Sequence, residues 1–164
     1  MNPRELLLES FRAAVDAADP LKTLSGFLPA PEEIGRFRRT LVVGAGKAAA
    51  SMARAVEQAW PAGALLEGLV ITRYAHGLPC DRIQVVEAGH PVPDEAGERA
   101  AADILSRAAA LGPDDLLLVL VSGGGSSLLS LPADGVPMAD LKAVTRALLA
   151  SGAPIQEMNV VRKH

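Results

Sequence analysis

Two glycine-rich stretches and one lysine carry the clearest chemical signal in this chain. Val121-Ser122-Gly123-Gly124-Gly125-Ser126-Ser127 follows directly on the apolar run from Leu116 to Leu120, and Gly44-Ala45-Gly46-Lys47-Ala48-Ala49 follows on Leu41-Val42-Val43. Glycine has no Cβ, so the backbone can adopt positive φ and bring its N–H groups within hydrogen-bonding distance of an anion. A helix starting after such a loop adds the positive end of its dipole. Three consecutive glycines between serines exceed what a tight turn needs, so Ser122 to Ser127 reads as a cradle for a phosphate or carboxylate. Lys47 sits at the mouth of the next helix, where the dipole disfavours a cation unless an anion lies beside it. An exposed surface lysine is the plain alternative.

Other polar groups surround this pattern. His90-Pro91-Val92-Pro93-Asp94 places an imidazole and a carboxylate on a proline-stiffened loop. Asp94 reads most simply as the N-cap of a helix beginning at Glu95, and His90 is either a site residue or a solvent-facing loop histidine. Asn159, Arg162, Lys163 and His164 gather near the C-terminal edge. The first three fall within one helical turn and could face one ligand, although a solvated basic helix end accounts for them more simply.

Gly44 to Ala49 also fits the G-x-G-x-x-A form of a dinucleotide fingerprint. Such a site wants an acidic residue after the second strand for the ribose, where this chain has Thr72-Arg73-Tyr74. Arg73 would suit a 2′-phosphate, which keeps an NADP-linked reductase open. The pattern G-x-x-x-x-G-K-[ST] does not occur, Gly125-Ser126-Ser127 breaks the G-x-S-x-G spacing of a nucleophile elbow, and no Cys or His cluster suggests a metal site. Two glycine-rich strand ends and a cation fit phosphoryl transfer, which needs positioning and charge neutralisation, better than hydrolysis. An anion or nucleotide sensor without chemistry remains the non-enzymatic alternative.

These groups need a scaffold that brings strand ends together. The 164 residues suffice for one sizeable core. Apolar residues at helical spacing run from Leu6 to Val15 and stop at Asp19-Pro20; the proline-containing stretch 25–33 reads as a loop. Short strands are expected at 41–43, 68–72, 83–87 and 116–121, with helices from Lys47 to about Trp60, from Glu95 to Leu111, from Met138 to Leu149 and from Ile155 to Arg162. Strands that are apolar on both faces and alternate with helices indicate an α/β, Rossmann-like three-layer sandwich with a mostly parallel sheet. Ligands of such sheets bind beyond the carboxyl ends of the strands, where Gly44–Lys47, His90–Asp94 and Ser122–Ser127 would share one rim.

Net charge is -3, with 16 basic and 19 acidic residues intermixed, so no basic stripe exists for a nucleic-acid backbone. Cys80 is the single cysteine, which excludes an intramolecular disulfide and makes a reducing cytoplasm the simplest location. Charged residues at 9, 12 and 16 interrupt the first helix, unlike a secretory signal, and no apolar run is long enough to span a membrane. The expected partners are therefore small molecules.

Taken in order, the blocks Gly44–Ala48, Ala88–Asp94, Val121–Ser127 and Ser151–His164 resemble the N-terminal region of type II glycerate kinases. The resemblance covers essentially the whole chain, and it implies that residues 1–164 are the N-terminal part of a large Rossmann-like domain whose remainder, with a smaller C-terminal domain, lies outside this chain. It implies ATP-dependent phosphorylation of D-glycerate, usually to 2-phosphoglycerate, with Mg²⁺, in a cleft between two domains. Carried over residue by residue, the resemblance implies that Lys47 stabilises the transferred phosphoryl group or the substrate. Gly44 and Gly46 lie beside it, Ser122, Gly123, Gly124, Gly125, Ser126 and Ser127 form the phosphate loop, and His90, Asp94, Asn159, Arg162 and Lys163 line the cleft. Members have also been labelled hydroxypyruvate reductases. The chain alone is expected to be weakly active at most, and exposed apolar surface would favour self-association.

Overall fold

The computed structural model describes residues 2–163; Met1 and His164, the latter one of the C-terminal polar residues singled out above, lie outside the described residues. Four strands, β1 (Arg39–Ala45), β2 (Leu66–Arg73), β3 (Ile83–Ala88) and β4 (Asp115–Val121), form one sheet. Their order is β3-β2-β1-β4 and every pairing is parallel. A parallel sheet must be covered on both faces. The helix α4 (Ala49–Ala59) covers one face and α5 (Glu95–Ala109) the other. The two-residue repeat of β1 divides its side chains between them: Val42 packs with Ala49, Ala53 and Val56, whereas Leu41, Val43 and Ala45 pack with Ala100, Ala101 and Ile104. This is the expected three-layer α/β architecture, and the alanines on both helices let them approach the sheet closely.

Three local expectations change. The stretch 25–33 holds part of a 3-10 turn (Leu24–Phe27) and the start of the short helix α3 (Pro31–Ile34). Pro31 occupies the first helical position, where its missing N–H is no loss, the Glu33 carboxylate accepts from the Ala30 N–H at 3.0 Å, and Ile34 is anchored in the core. Similarly, Asp19-Pro20 ends α1 (Pro3–Ala18) but also begins the single turn α2 (Pro20–Thr23), with Asp19 accepting from the Leu21 N–H. The third change is that β1 runs on through Gly44, so this glycine lies inside the sheet rather than in a loop.

Beyond β4 the glycine run feeds a single turn of helix, α6 (Gly125–Leu128). Helices α7 (Met138–Ser151) and α8 (Ile155–Lys163) follow, separated at Gly152, whose φ is 71°. Strand β4 is an edge strand. Its Leu117, Val119 and Val121 are exposed, and by register they lie beside Leu41, Val43 and Ala45 on the α5 face. No residue of α1 is buried.

The amino ends of the strands are braced by charge. Arg38 donates through Nε and Nη2 to the two oxygens of Asp115 at 3.0 and 2.8 Å. Arg39 adds a bond to Asp115 at 3.2 Å and one to Glu67 at 2.7 Å, and the Gly112 N–H donates to the same carboxylate. The Arg38 guanidinium, with these other donors, holds the Asp115 carboxyl well below the usual carboxylate range.

Candidate anion-binding site

In the order β3-β2-β1-β4 the chain leaves β1 toward one side and returns as β4 on the other, so a crevice opens between the carboxyl ends of β1 and β4. Open α/β sheets bind ligands at such switch points. Both glycine-rich stretches end there and are stitched together. The Ser122 N–H donates to the Ala45 carbonyl at 3.1 Å, the Lys47 N–H to the Gly123 carbonyl at 2.9 Å, and the Ala48 N–H to the Ser122 hydroxyl at 3.1 Å. Close approach explains two glycines. A Cβ on Gly44 would overlap the Leu120 carbonyl, and one on Gly46, where φ is 143°, would lie 2.7 Å from the Ser122 carbonyl oxygen.

This stitching decides which backbone donors remain for a ligand. In the loop after β1, the Gly46 N–H is held by the Ile71 carbonyl, while those of Lys47 and Ala48 are engaged with the second loop. In that second loop, the Gly125 N–H bonds the Ser122 carbonyl and the Ser127 N–H bonds the Gly124 carbonyl. Among the described residues the N–H groups of Gly123, Gly124 and Ser126 have no acceptor. Gly123 stands exposed with open space around it, and Gly124 has φ of 90°. The serines divide likewise: Ser122 holds the Ala48 N–H, buried Ser127 closes the turn onto the Gly124 carbonyl, and Ser126 is exposed.

Two side chains converge on the same turn. A Cβ built on Gly124 would lie 2.6 Å from His90 Nε2 and 3.4 Å from Lys47 Cε, so both residues reach the loop across which their backbones are separated in sequence. Lys47 is exposed. Thr72 Oγ1, at the end of β2, donates to the Lys47 carbonyl at 3.4 Å. Partial burial, then the charges of Lys47 and Arg73, lower the His90 pKa and favour the neutral imidazole.

Asp94 has another task. One oxygen accepts the Gly97 N–H at 3.0 Å and caps α5; the other accepts the Tyr74 hydroxyl at 2.7 Å. Burial alone would raise its pKa, but bonds from Gly97, Tyr74 and Gly89 outweigh it and hold the carboxylate ionised. Asp94 thereby ties the His90 loop to the turn after β2. Glu87 pins that same turn, accepting from the His76 and Gly77 N–H groups at 3.1 and 2.7 Å. Tyr74 was not anticipated as part of this arrangement. Nothing local in the sequence pairs it with a residue twenty positions away.

The C-terminal residues are split. Arg162 donates through Nη2 to the Ser126 carbonyl at 3.0 Å and so touches the glycine loop from its far side, while its buried Nε has no acceptor among the described residues. Arg162 and Lys163 line a groove of about 490 Å³ with Ser126, Leu129 and Val136. Asn159 is exposed on α8 and has no hydrogen bond to the loop. Among the described residues no group of three His, Cys, Asp or Glu side chains is placed to hold a metal ion.

A doubly wound α/β domain with a glycine-rich loop at its switch point is the class these features define. Residues 6–164 match the model of a family described as a domain of unknown function, DUF4147, and the chain belongs to that family. It is 50% identical over 164 residues to an Agrobacterium vitis protein named "Putative hydroxypyruvate reductase", covering 100% of this chain and 36% of that protein. It is 39% identical over 175 residues to a glycerate 2-kinase of Pyrococcus horikoshii, covering 100% of this chain and 38% of the relative. The crystal structure of a Thermotoga maritima glycerate kinase superposes with a TM-score of 0.79 at 37% identity, over 98% of this chain and 38% of that one. The chain thus spans less than two fifths of the length of these relatives. No described helix is long and apolar enough to cross a membrane.

Proposed function

We propose that this chain is the phosphate-binding part of an ATP-dependent glycerate kinase that converts D-glycerate to 2-phosphoglycerate. The disposition of N–H groups at the crevice carries this reading. A dinucleotide fold presents the donors of its first strand-to-helix loop to a pyrophosphate, but here the Gly46, Lys47 and Ala48 N–H groups are all engaged within the protein. The donors of Gly123 and Gly124 remain, with Lys47 and His90 against them. That arrangement suits a phosphoryl group rather than a nicotinamide dinucleotide, and relatives named as glycerate kinases supply the acceptor.

In the proposed reaction a D-glycerate hydroxyl oxygen attacks the γ-phosphorus of ATP. The bond from that phosphorus to the β,γ-bridging oxygen breaks, ADP leaves with the electron pair, and the hydroxyl proton is released. Lys47 and the N–H groups of Gly123 and Gly124 meet the charge on the transferred group, in a site where positioning and electrostatics supply most of the catalysis. Arg162 supports the loop through Ser126. The rest of the large domain and a smaller C-terminal domain, for which the longer relatives have room, would complete the cleft, and the site would act in the cytoplasm on small molecules alone.

Two observations favour a second reading, reduction of hydroxypyruvate with NADPH: the name of the Agrobacterium relative and Arg73 at the end of β2. A coupled ADP-release assay of the full-length protein with D-glycerate, ATP and Mg²⁺, run beside NADPH oxidation with hydroxypyruvate, separates them. ADP release without NADPH oxidation is the expected outcome. Oxidation without ADP release makes the protein a reductase, and binding without either reaction makes it a sensor.

A further inference from the structure

The rim of the sheet holds a cation that the proposed reaction has not yet used. Arg73 ends β2, the strand beside β1, and its neighbour Thr72 touches the Lys47 carbonyl. On its other side β3 pairs with it in register, Arg73 opposite Ala88, two residues before His90. The turn that follows is firmly built. The Arg73 carbonyl accepts the His76 N–H at 3.1 Å, Ala75 takes a φ of 62°, Glu87 holds the His76 and Gly77 N–H groups, and Tyr74 is bound to Asp94. The two carboxylates nearest the turn, Glu87 and Asp94, are occupied by these bonds. Among the described residues neither Arg73 nor Lys47 has an ion-pair partner, and Arg73 is exposed.

We infer that Arg73 binds the carboxylate of the hydroxy-acid substrate, while Lys47 and the Gly123–Gly124 N–H groups hold the phosphoryl group. A guanidinium presents two parallel N–H donors that match a carboxylate, which a lysine cannot do. The inference rests on the proposed reaction for the identity of the acid. The charge of Arg73 also reaches His90, since it is one cause of that imidazole's lowered pKa, with burial and Lys47.

The test uses the full-length protein with Arg73→Met and Arg73→Lys. A charged hydrogen bond of about 1.5–3 kcal/mol corresponds to a loss of about 10- to 150-fold, so R73M should raise the KM for D-glycerate at least ten-fold and leave the KM for ATP within two-fold. R73K should recover only part of this. Discrimination between D-glycerate and glycerol, which lacks the carboxylate, should shrink in parallel. A rise in the KM for ATP instead, or full recovery in R73K, overturns the assignment. Independently of turnover, the His90 ring resonances should report D-glycerate binding in the wild type, weakened at least ten-fold in R73M, and their titration should move to higher pH in R73M. Resonances that D-glycerate leaves unmoved, or that respond alike in both proteins, also overturn it. Silence of the wild type in the ADP assay with intact, Arg73-dependent glycerate binding would fault the kinase reaction and spare Arg73.

Discussion

The two ends of one sheet treat charge in opposite ways. Where the strands begin, Arg38, Arg39, Glu67 and Asp115 are all paired, and the Asp115 side chain is shut off from solvent with four donors around it. Where they end, Lys47 and Arg73 have no carboxylate partner among the described residues, and the nearby acids are bound to backbone and to Tyr74. Exposed ion pairs contribute little to stability singly, but a shared, inaccessible carboxylate fixes the spacing of β1 and β4. Unpaired cations cost self-repulsion and add no such brace, which is tolerable where an anion binds. One end is built for stability and the other, in the proposed function, for a ligand.

The sharpest way to break this contrast is at Lys47. Lys47→Ala in the full-length protein should lower turnover with ATP and D-glycerate about 10²- to 10³-fold, the scale for removing one electrostatic contact to a transition state, with an unchanged urea midpoint. Near-normal turnover would remove Lys47 from the site.

At the opposite end, Asp115→Asn should lower the urea midpoint while leaving the KM for both substrates unchanged. The pH dependence follows from sign. The folded-state pKa of Asp115 is depressed, so its stabilisation is complete above the ordinary carboxylate range near about 4 and is lost as pH falls below it. The wild-type midpoint should therefore drop between about pH 5 and pH 3 more steeply than that of D115N; parallel curves would show that the brace does not act through this carboxylate.

The smallest expected effect blurs the contrast on purpose. Ser122 lies at the ligand end but serves the fold, because its hydroxyl accepts the Ala48 N–H where α4 begins. Ser122→Ala should cost about 1 kcal/mol of stability, as loss of a helix cap does. Denaturation that is unchanged, with an altered KM, would make Ser122 a ligand contact instead.

Much of the scaffold was legible from local pattern. Apolar runs bounded by glycine or proline located all four strands, their two-faced apolarity implied a parallel sheet, and Asp94 before Glu95 announced a cap that the structure contains. The 25–33 stretch misled because Pro31 marks a helix start as readily as a loop. Gly44 belonged to a recognisable fingerprint, yet it serves the packing of β1 on β4, since glycine is demanded equally by a ligand and by a neighbouring strand. The Arg38–Asp115 brace, whose partners are 77 positions apart, left no local trace.

By itself the sequence determined which segments form strands and helices, and that two glycine-rich loops, the first carrying Lys47, end on one side of a sheet, because burial periodicity and glycine's conformational range are properties of neighbouring residues. Only the tertiary structure decided which loop keeps its donors. The Lys47 and Ala48 N–H groups are satisfied by Gly123 and Ser122, more than seventy residues away, and a backbone hydrogen bond to so distant a partner exists only once β4 has been placed beside β1.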